Sequence, residues 1–591
     1  MISIRERGKL LVKKVIAKEG AGYCMGVRRA MNIVLDAANK EEKSVTTFGP
    51  IIHNPQAVEI LNSKDVRVVN QVSELKSNGT VIVRAHGIGP DVRQELKSTG
   101  LTIRDATCPL VSKVHSSIRR YLKRGHHLII VGEEKHPEVI GHLGFARGQG
   151  SVISRIEDVE KLPDFKKVCV VSQTTFDEEY FLQIADALRK RYPVCEVVNT
   201  ICFETLNRQR EVREMAQKVD AMVVIGGKNS GNTRRLAQIS ESYGIPAFFV
   251  ETEKEINLDE LEKFESVGIT AGASTPNWLI QKVIDHIDAL EHRHEPLWMQ
   301  GLRRMTTTLF RLSFFVALGA ALLTHGAALL QGIQPKPVYP LIAILYTLSM
   351  FILNRCLDKE ADKFNEPGRT EFYERHGRSL LGAGLAAGIT ALALAFPLGP
   401  LPFLCLLIFS LAGVLYSVRL IPPRWQDVLH IRRPKDIPAS KSFFIPIACA
   451  VVMVFIPYLS SDSGALPATL ATSLFVFTVV FLRTALLDMS DIERDRIAGS
   501  EILTMLIEKP ATLRLLWGML GFMAAVVTGL ALAGWLSLLA VAMLAALGYS
   551  ALSLYLYQRK VVFNGLTFLL IVDGNLIVAG LLAYLGSLLL A

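Results

Sequence analysis

Up to about Arg304 the chain alternates short Val- and Ile-rich runs with charged, helix-forming stretches, and beyond Leu309 it becomes a series of long apolar stretches parted by short polar loops. The first pattern predicts strands buried on both faces with crossover helices between them, the arrangement of an α/β protein with largely parallel sheets. The second predicts membrane helices, because crossing a bilayer core of ~30 Å takes roughly 18–25 apolar residues. About nine spans are expected, near residues 312–332, 338–354, 379–397, 400–417, 443–461, 464–487, 512–533, 535–557 and 562–590. The expected organisation is an α/β domain over 1–290, a linker over 291–308 and an all-α polytopic membrane domain over 309–591.

Charge then orients the second half. Arg355, Lys359, Lys363, Arg369, Arg375 and Arg378 follow the second span, and Arg419, Arg424, Arg432, Arg433, Lys435 and Lys441 follow the fourth. Arg494, Arg496 and Lys509 follow the sixth, and Arg559 and Lys560 the eighth. Basic loops stay on the cytoplasmic side, so the N-terminal domain is expected in the cytoplasm, on an integral protein of the cytoplasmic membrane in contact with its lipids. The net charge of +10 is distributed by topology and forms no stripe for nucleic acid. The opening MISIRERGKLLVKKVIAKEG lacks the apolar core of a secretory signal. Eight cysteines in 591 residues, without dense spacing, do not make a disulfide scaffold and suit a reducing compartment.

Apolar runs of the first half end repeatedly in polar or small-residue loops: VIVRAHG at Gly87, LIIVGEEKHPE at Glu138, VCVVSQTT at Thr175, AMVVIGGKNSGN at Asn232 and VGITAGAS at Ser274. In open parallel sheets such loops converge at the carboxyl ends of the strands. Cys24, Cys108 and Cys202 stand in comparable turns, 84 (108 − 24) and 94 (202 − 108) residues apart, which suggests three similar modules giving one thiolate each. Three thiolates would hold three irons of a 4Fe–4S cluster and leave the fourth open to substrate. The alternative for any one of them is a buried small hydrophobe. Cys169 and Cys195, inside Val-rich strands, fit that alternative. His53, His86 and His136, with Thr174, Ser230, Asn232 and Ser274, supply donors of the kind a diphosphate needs, and Glu138 is the obvious proton source.

At these residues the first half resembles the 4-hydroxy-3-methylbut-2-enyl diphosphate reductase family, roughly from Lys14 to Ile287. GYCMGV, ATCPLVSKVH, HPEV, SQTT, NTICFETLNRQ, GGKNSGNT and TAGAS occur in that family's order. The resemblance implies an α/β three-module cloverleaf around an iron–sulfur cluster. It implies Cys24, Cys108 and Cys202 as ligands to 4Fe–4S, and His53, His86, His136, Thr174, Ser230, Asn232 and Ser274 as contacts to an isoprenoid diphosphate. Glu138 is implied as the acid. Gly231 stands where many relatives have a second Ser, so its contact to phosphate would come from backbone. The implied reaction is reductive dehydroxylation to isopentenyl and dimethylallyl diphosphates, the last step of the non-mevalonate precursor pathway. No flavin or nicotinamide fingerprint is apparent, so the electron donor is expected to be a separate ferredoxin- or flavodoxin-like protein.

In the second half, Asn354, Asp358 and Asp362 recur at i, i+4, i+8, and Asp488, Asp491 and Asp495 at i, i+3, i+7, so each set shares a helical face. A solvated loop is one reading of such charge. Facing acidic clusters also suit Mg²⁺ ions bridging a diphosphate. Here the chain resembles the UbiA family of intramembrane prenyltransferases, with nine spans and two cytoplasmic aspartate motifs. DMSDIERDRIAG matches the second motif, and Tyr416, Ser417 and Lys441 resemble intervening elements. Arg355 occupies the usual first Asp position, where it could pair with phosphate, replace metal charge or signal altered function, and Asn354 could add a neutral oxygen ligand. The resemblance implies Asp358, Asp362, Asp488, Asp491 and Asp495 as Mg²⁺ ligands.

Three readings of the whole stay open on sequence: a bifunctional enzyme, an active reductase on a non-catalytic anchor, and a membrane-tethered iron–sulfur redox sensor. A sensor would need the cysteines but not His53, His86, His136 and Glu138.

Overall fold

Continuous apolar runs such as His127–Val131 (HLIIV), Val168–Ser172 (VCVVS) and Ala221–Ile225 (AMVVI) form strands whose residues are buried almost throughout. That is the signature of parallel sheets covered on both faces. The computed structural model describes residues 14–17, 22–40, 44–76, 78–291, 295–357, 367–418, 434–437, 439–490, 497, 507–536, 539–559, 561 and 565–590.

The chain divides into two units, Met1–Pro296 and Leu297–Ala591. Among the described residues of the first, twelve strands make three four-stranded sheets in which every pairing is parallel. One sheet runs Arg67–Val69, Val45–Phe48, Thr80–Val83, Thr102–Asp105; another runs Gly150–Ile153, His127–Val131, Val168–Ser172, Cys195–Val198. The remaining sheet runs Lys14–Ala17, Ser266–Ala271, Ala221–Ile225, Ala247–Val250, so the first strand joins the last segment of the unit. The three modules are therefore not three successive thirds of the sequence. Separate cores cover the sheets, among them Phe181, Ile184 and Leu188 packed on Ile129 and Val170, and Val212 and Leu236 packed on Met222 and Val224.

The second unit is helical. Seven of its described helices are long and apolar enough to cross a membrane, from Val338–Leu357 to Thr567–Leu589. An eighth candidate is the pair Leu297–Arg311 and Phe314–Leu330, bent by 67°, and Pro400–Leu415 is apolar but shorter. Where a linker is expected over 291–308, residues 297–311 are thus helical and open this unit. Small residues set the helix spacing: a Cβ added at Gly580 would lie 2.3 Å from the Leu322 carbonyl carbon, and one at Gly326 would lie 2.8 Å from the Ala583 Cβ. Between lipid-exposed helices, where no hydrophobic force favours association, close backbone approach supplies the packing. Helix Leu466–Ser490 is the most enclosed, with Phe475, Val479, Phe481 and Leu486 in the core.

Candidate functional site

The three cysteines occupy equivalent places. Cys24, Cys108 and Cys202 each follow an edge strand of a different sheet, and each immediately precedes a helix: Met25–Lys40, Pro109–Leu122 or Phe203–Ala216. Their backbone N–H groups donate to Ala273, Ala85 and Thr174 carbonyls at 3.0, 2.9 and 2.8 Å. In each case the acceptor lies two residues beyond the neighbouring strand of the same sheet. One local construction is therefore repeated three times, and all three sulfurs line one cavity.

First-turn amides point at these sulfurs. Val27 N–H donates to Cys24 Sγ at 3.4 Å. Burial pushes the Cys108 and Cys202 thiols up; amides of Leu110 and Val111, and of Thr205 and Glu204, pull them down, and the neighbouring cysteines oppose a second negative charge. Such a set becomes thiolate when a cation compensates the charge, and the cavity wall offers three cysteines and no fourth. The residues present fit an iron–sulfur cluster with one iron lacking a cysteine. Gly26 makes room for the arrangement, since a Cβ there would lie 2.6 Å from Cys108 Sγ.

On the same cavity stand His53, His86, His136, Glu138, Thr174, Ser230, Gly231, Asn232 and Ser274, the whole set expected from the reductase resemblance. The histidine rings lie 4.6, 5.5 and 5.6 Å apart, centroid to centroid. Burial, with Coulombic opposition from His136 and Arg84, lowers His53 to about 4; burial first of all also lowers His86 and His136. All three are neutral near pH 7, each with one N–H to offer. His136 Nδ1 accepts from Glu138 N–H at 3.2 Å, which leaves its Nε2 as the protonated nitrogen. His53 Nε2, His86 Nδ1 and both amide atoms of Asn232 are buried without protein partners. Buried polar groups of this kind call for a polar ligand. Ser230 accepts from Thr233 N–H and keeps its own proton to donate, whereas Ser274 already donates to the His53 carbonyl at 3.1 Å. A Cβ at Gly231 would meet only Glu133 Oε1, at 3.6 Å, so neither space nor backbone requires glycine there.

Glu138 is 1 % exposed. Burial disfavours its charge, but His142, His136 and the Thr174 N–H outweigh burial and hold its carboxyl down at about 2. Thr174 donates to it twice, from N–H at 2.7 Å and from Oγ1 at 2.8 Å. His142 Nε2 lies 3.3 Å from Glu138 Oε1, and its contact and charge are the largest of the effects that hold the carboxyl down.

His142 escapes a reading confined to strand ends, although its i+4 spacing from Glu138 on helix Pro137–Ala146 is a usable signal. Behind it lies His115, ring centroids 5.1 Å apart. Arg208, 5 % exposed, donates to the Ala271 and Gly22 carbonyls at 2.7 and 2.5 Å, and its charge acts on Cys24 and Cys202. Arg208 lies within NTICFETLNRQ on the helix that follows Cys202, but its carbonyl partners are distant in sequence.

In the helical unit, Asp488 is buried and accepts from Lys441 Nζ at 2.7 Å and Ser442 Oγ at 2.9 Å. Asn354 Oδ1 accepts from Ser417 Oγ at 3.0 Å, and the Tyr416 hydroxyl lies 2.8 Å from Ser440 Oγ. Asp358, Asp362, Asp491 and Asp495 lie outside the described residues. Arg355 donates to the Arg311 carbonyl at 2.8 Å and lies over the Phe351 and Tyr373 rings. Its guanidinium is engaged by the end of a helix.

Arg483 and Asp573 form a buried ion pair between helices Leu466–Ser490 and Gly565–Leu590, with both Nε and Nη2 near Asp573 Oδ1, at 2.8 and 2.7 Å. Arg483→Met alone leaves an uncompensated buried carboxylate and should cost ~3–5 kcal/mol, whereas adding Asp573→Leu should recover most of it. Thermal unfolding in detergent compares the two; a single variant as stable as the parent removes the pair from the stability of the bundle.

Residues 15–288 match the LytB protein family profile, and residues 312–569 match the UbiA prenyltransferase family profile. The 4-hydroxy-3-methylbut-2-enyl diphosphate reductase of Clostridioides difficile (strain 630) is 38% identical over 277 residues, covering 46% of this chain and 99% of that protein. That of Solidesulfovibrio magneticus is 43% identical over 278 residues, covering 46% and 97%. Among solved structures, the Plasmodium falciparum E-1-hydroxy-2-methyl-but-2-enyl-4-diphosphate reductase has 27% identity and a TM-score of 0.46 over 50% of this chain and 99% of its own. A UbiA homolog from Archaeoglobus fulgidus, bound to GPP and Mg²⁺, has 17% identity and a TM-score of 0.35 over 47% and 98%. The chain belongs to the 4-hydroxy-3-methylbut-2-enyl diphosphate reductase family, and its C-terminal half is a UbiA prenyltransferase family domain.

Proposed function

We propose that the N-terminal half converts 4-hydroxy-3-methylbut-2-enyl diphosphate to isopentenyl and dimethylallyl diphosphates, and that the integral membrane half transfers a prenyl group to an acceptor in the membrane. The observation that carries the first activity is the convergence of three helix-capping cysteines, three neutral histidines and Glu138 on one cavity. A redox sensor has no use for the histidines. The His53, His86 and His136 nitrogens lie within 4.8 Å of one another and on geometry alone would suit a divalent metal. The adjoining Ser230, Asn232 and Gly231 N–H groups at the start of helix Gly231–Ser242 favour a diphosphate, whose oxygens take many donors.

In this reading the histidines, Ser230 and Asn232 grip the diphosphate and leave the hydroxylated carbon chain toward the cysteines. A 4Fe–4S cluster held by Cys24, Cys108 and Cys202 supplies the electrons and a Lewis-acidic iron when bound. Glu138 takes up a proton as the anionic substrate raises its pKa, and passes it through Thr174 or directly to the departing hydroxyl, which leaves as water. Two electrons and two protons balance the loss of water and the new C–H bond. The electrons enter from a separate ferredoxin- or flavodoxin-like carrier.

For the membrane half, the positive-inside pattern supports a cytoplasmic aspartate face and a cytoplasmic N-terminal half. Asp358, Asp362, Asp488, Asp491 and Asp495 would hold Mg²⁺ against the prenyl diphosphate, with Lys441 moving from Asp488 to phosphate. Asp491→Ala should abolish Mg²⁺-dependent transfer and donor binding while reductase turnover persists. Product analysis of the anaerobically purified full chain, first with the hydroxylated C5 diphosphate and then with polyprenyl donors, tests both activities. Failure to bind any prenyl diphosphate, with or without Mg²⁺, leaves the membrane half an anchor.

A further inference from the structure

Helix Leu297–Arg311 is two-faced. Trp298, Leu302, Met305 and Leu309 fall at i, i+4, i+7 and i+11 on one side, while Arg303, Thr307 and Arg311 lie on the other. Most of the apolar side is not covered by protein: Trp298 is 67%, Leu302 48% and Met305 54% exposed, and Leu309, nearest the elbow, is half-buried. The helix contains three arginines and no acidic residue.

Its direction is set by the structure at its end. The axis turns by 67° into helix Phe314–Leu330, through Ser313 held at φ +57° in the left-handed region. Side chains from two other helices reach the last carbonyls: Arg355 donates to Arg311 at 2.8 Å, and Arg369 donates at 3.4 Å to Phe310, which also accepts from Ser313 N–H at 2.9 Å. Arg311 lies over the Phe372 ring, and Phe310 packs against Phe315 at 4.4 Å between centroids. The 67° turn away from Phe314–Leu330 brings Leu297–Arg311 close to the membrane plane when Phe314–Leu330 stands near the bilayer normal.

We propose that Leu297–Arg311 lies in the headgroup layer as an in-plane anchor, with its apolar stripe in the acyl boundary and Arg303 and Arg304 on anionic phospholipid headgroups. Arg355 is its clamp. The occupant is a lipid surface because the stripe is continuous in chain and orientation with a span, carries Trp at its start, and presents cations without a single acid. The assignment also accounts for an arginine at 355, where it serves the elbow.

The test uses the full chain in nanodiscs of phosphatidylcholine, with or without phosphatidylglycerol, and isolates Trp298 fluorescence by subtracting the Trp298→Phe variant. Lipids brominated near the headgroup end of the chain should quench that signal by about twofold or more, mid-chain bromines less, and aqueous iodide hardly at all. Phosphatidylglycerol should deepen the quenching, and Arg303→Gln with Arg304→Gln should remove that increment while reductase turnover stays normal. Arg355→Ala, or the milder Arg355→Lys, should weaken bromine quenching and admit iodide. Quenching by iodide but not by bromolipid, or protection from both, overturns the in-plane anchor; equal quenching with and without phosphatidylglycerol overturns the anionic-lipid contact.

Discussion

Cys108→Ser is expected to lower bound iron from about four atoms per chain to near none and to abolish reductase turnover, as are Cys24→Ser and Cys202→Ser. The serine hydroxyl keeps the size of the thiol but is a hard, weakly acidic donor that does not replace thiolate on iron. Helix capping does not rescue it, because the first-turn amides at Cys108 and Cys202 merely offset burial. Cys169→Ser is the control. That thiol is 1 % exposed within strand Val168–Ser172, near its amino-terminal end and away from the carboxyl end that faces the cavity, and burial pushes it up to about 12, so it is inert. Cys195→Ser should likewise keep the metal. Iron and sulfide analysis with electron paramagnetic resonance on anaerobic protein decides the matter, and a full cluster in Cys108→Ser would falsify the ligand set.

Glu138→Gln is expected to reduce kcat by on the order of 10²–10⁴ with little change in KM, because the amide keeps the shape and its Thr174 contact but carries no transferable proton. The pH dependence follows from the carboxyl held down at about 2 against an ordinary 4.5. A depressed folded-state pKa means that ionised Glu138 contributes stability fully above pH 4.5 and loses it as pH falls toward 2. The kcat/KM profile, which reports the free enzyme, should therefore show no Glu138 inflection above pH 4.5. The kcat profile should show one at higher pH, since diphosphate charge beside Glu138 opposes its ionisation, and Gln should erase it. An unchanged kcat profile in Glu138→Gln would remove the residue from proton transfer.

Much of this was legible in the chain because it depends on neighbours in sequence. Runs such as HLIIV and AMVVI could only be strands buried on two faces, and the apolar stretches of the second half could only be satisfied as helices in lipid. Parallel sheets gather the loops after their strands, so Cys24, Cys108, Cys202, His53, His86, His136 and Glu138 could be named before any coordinates. Folding decided what depends on pairs brought together from far apart. Arg208 reaches Gly22 across 186 residues, and Arg483 reaches Asp573 across 90. The first strand, Lys14–Ala17, enters a sheet completed by Ser266–Ala271, which no local period announces. Arg355 falls within a charged motif by sequence, yet its partner is a helix-terminal carbonyl 44 residues earlier. Periodicity specifies which face of an element is apolar, whereas the partner of a buried charge is chosen by packing and by the cost of leaving that charge alone.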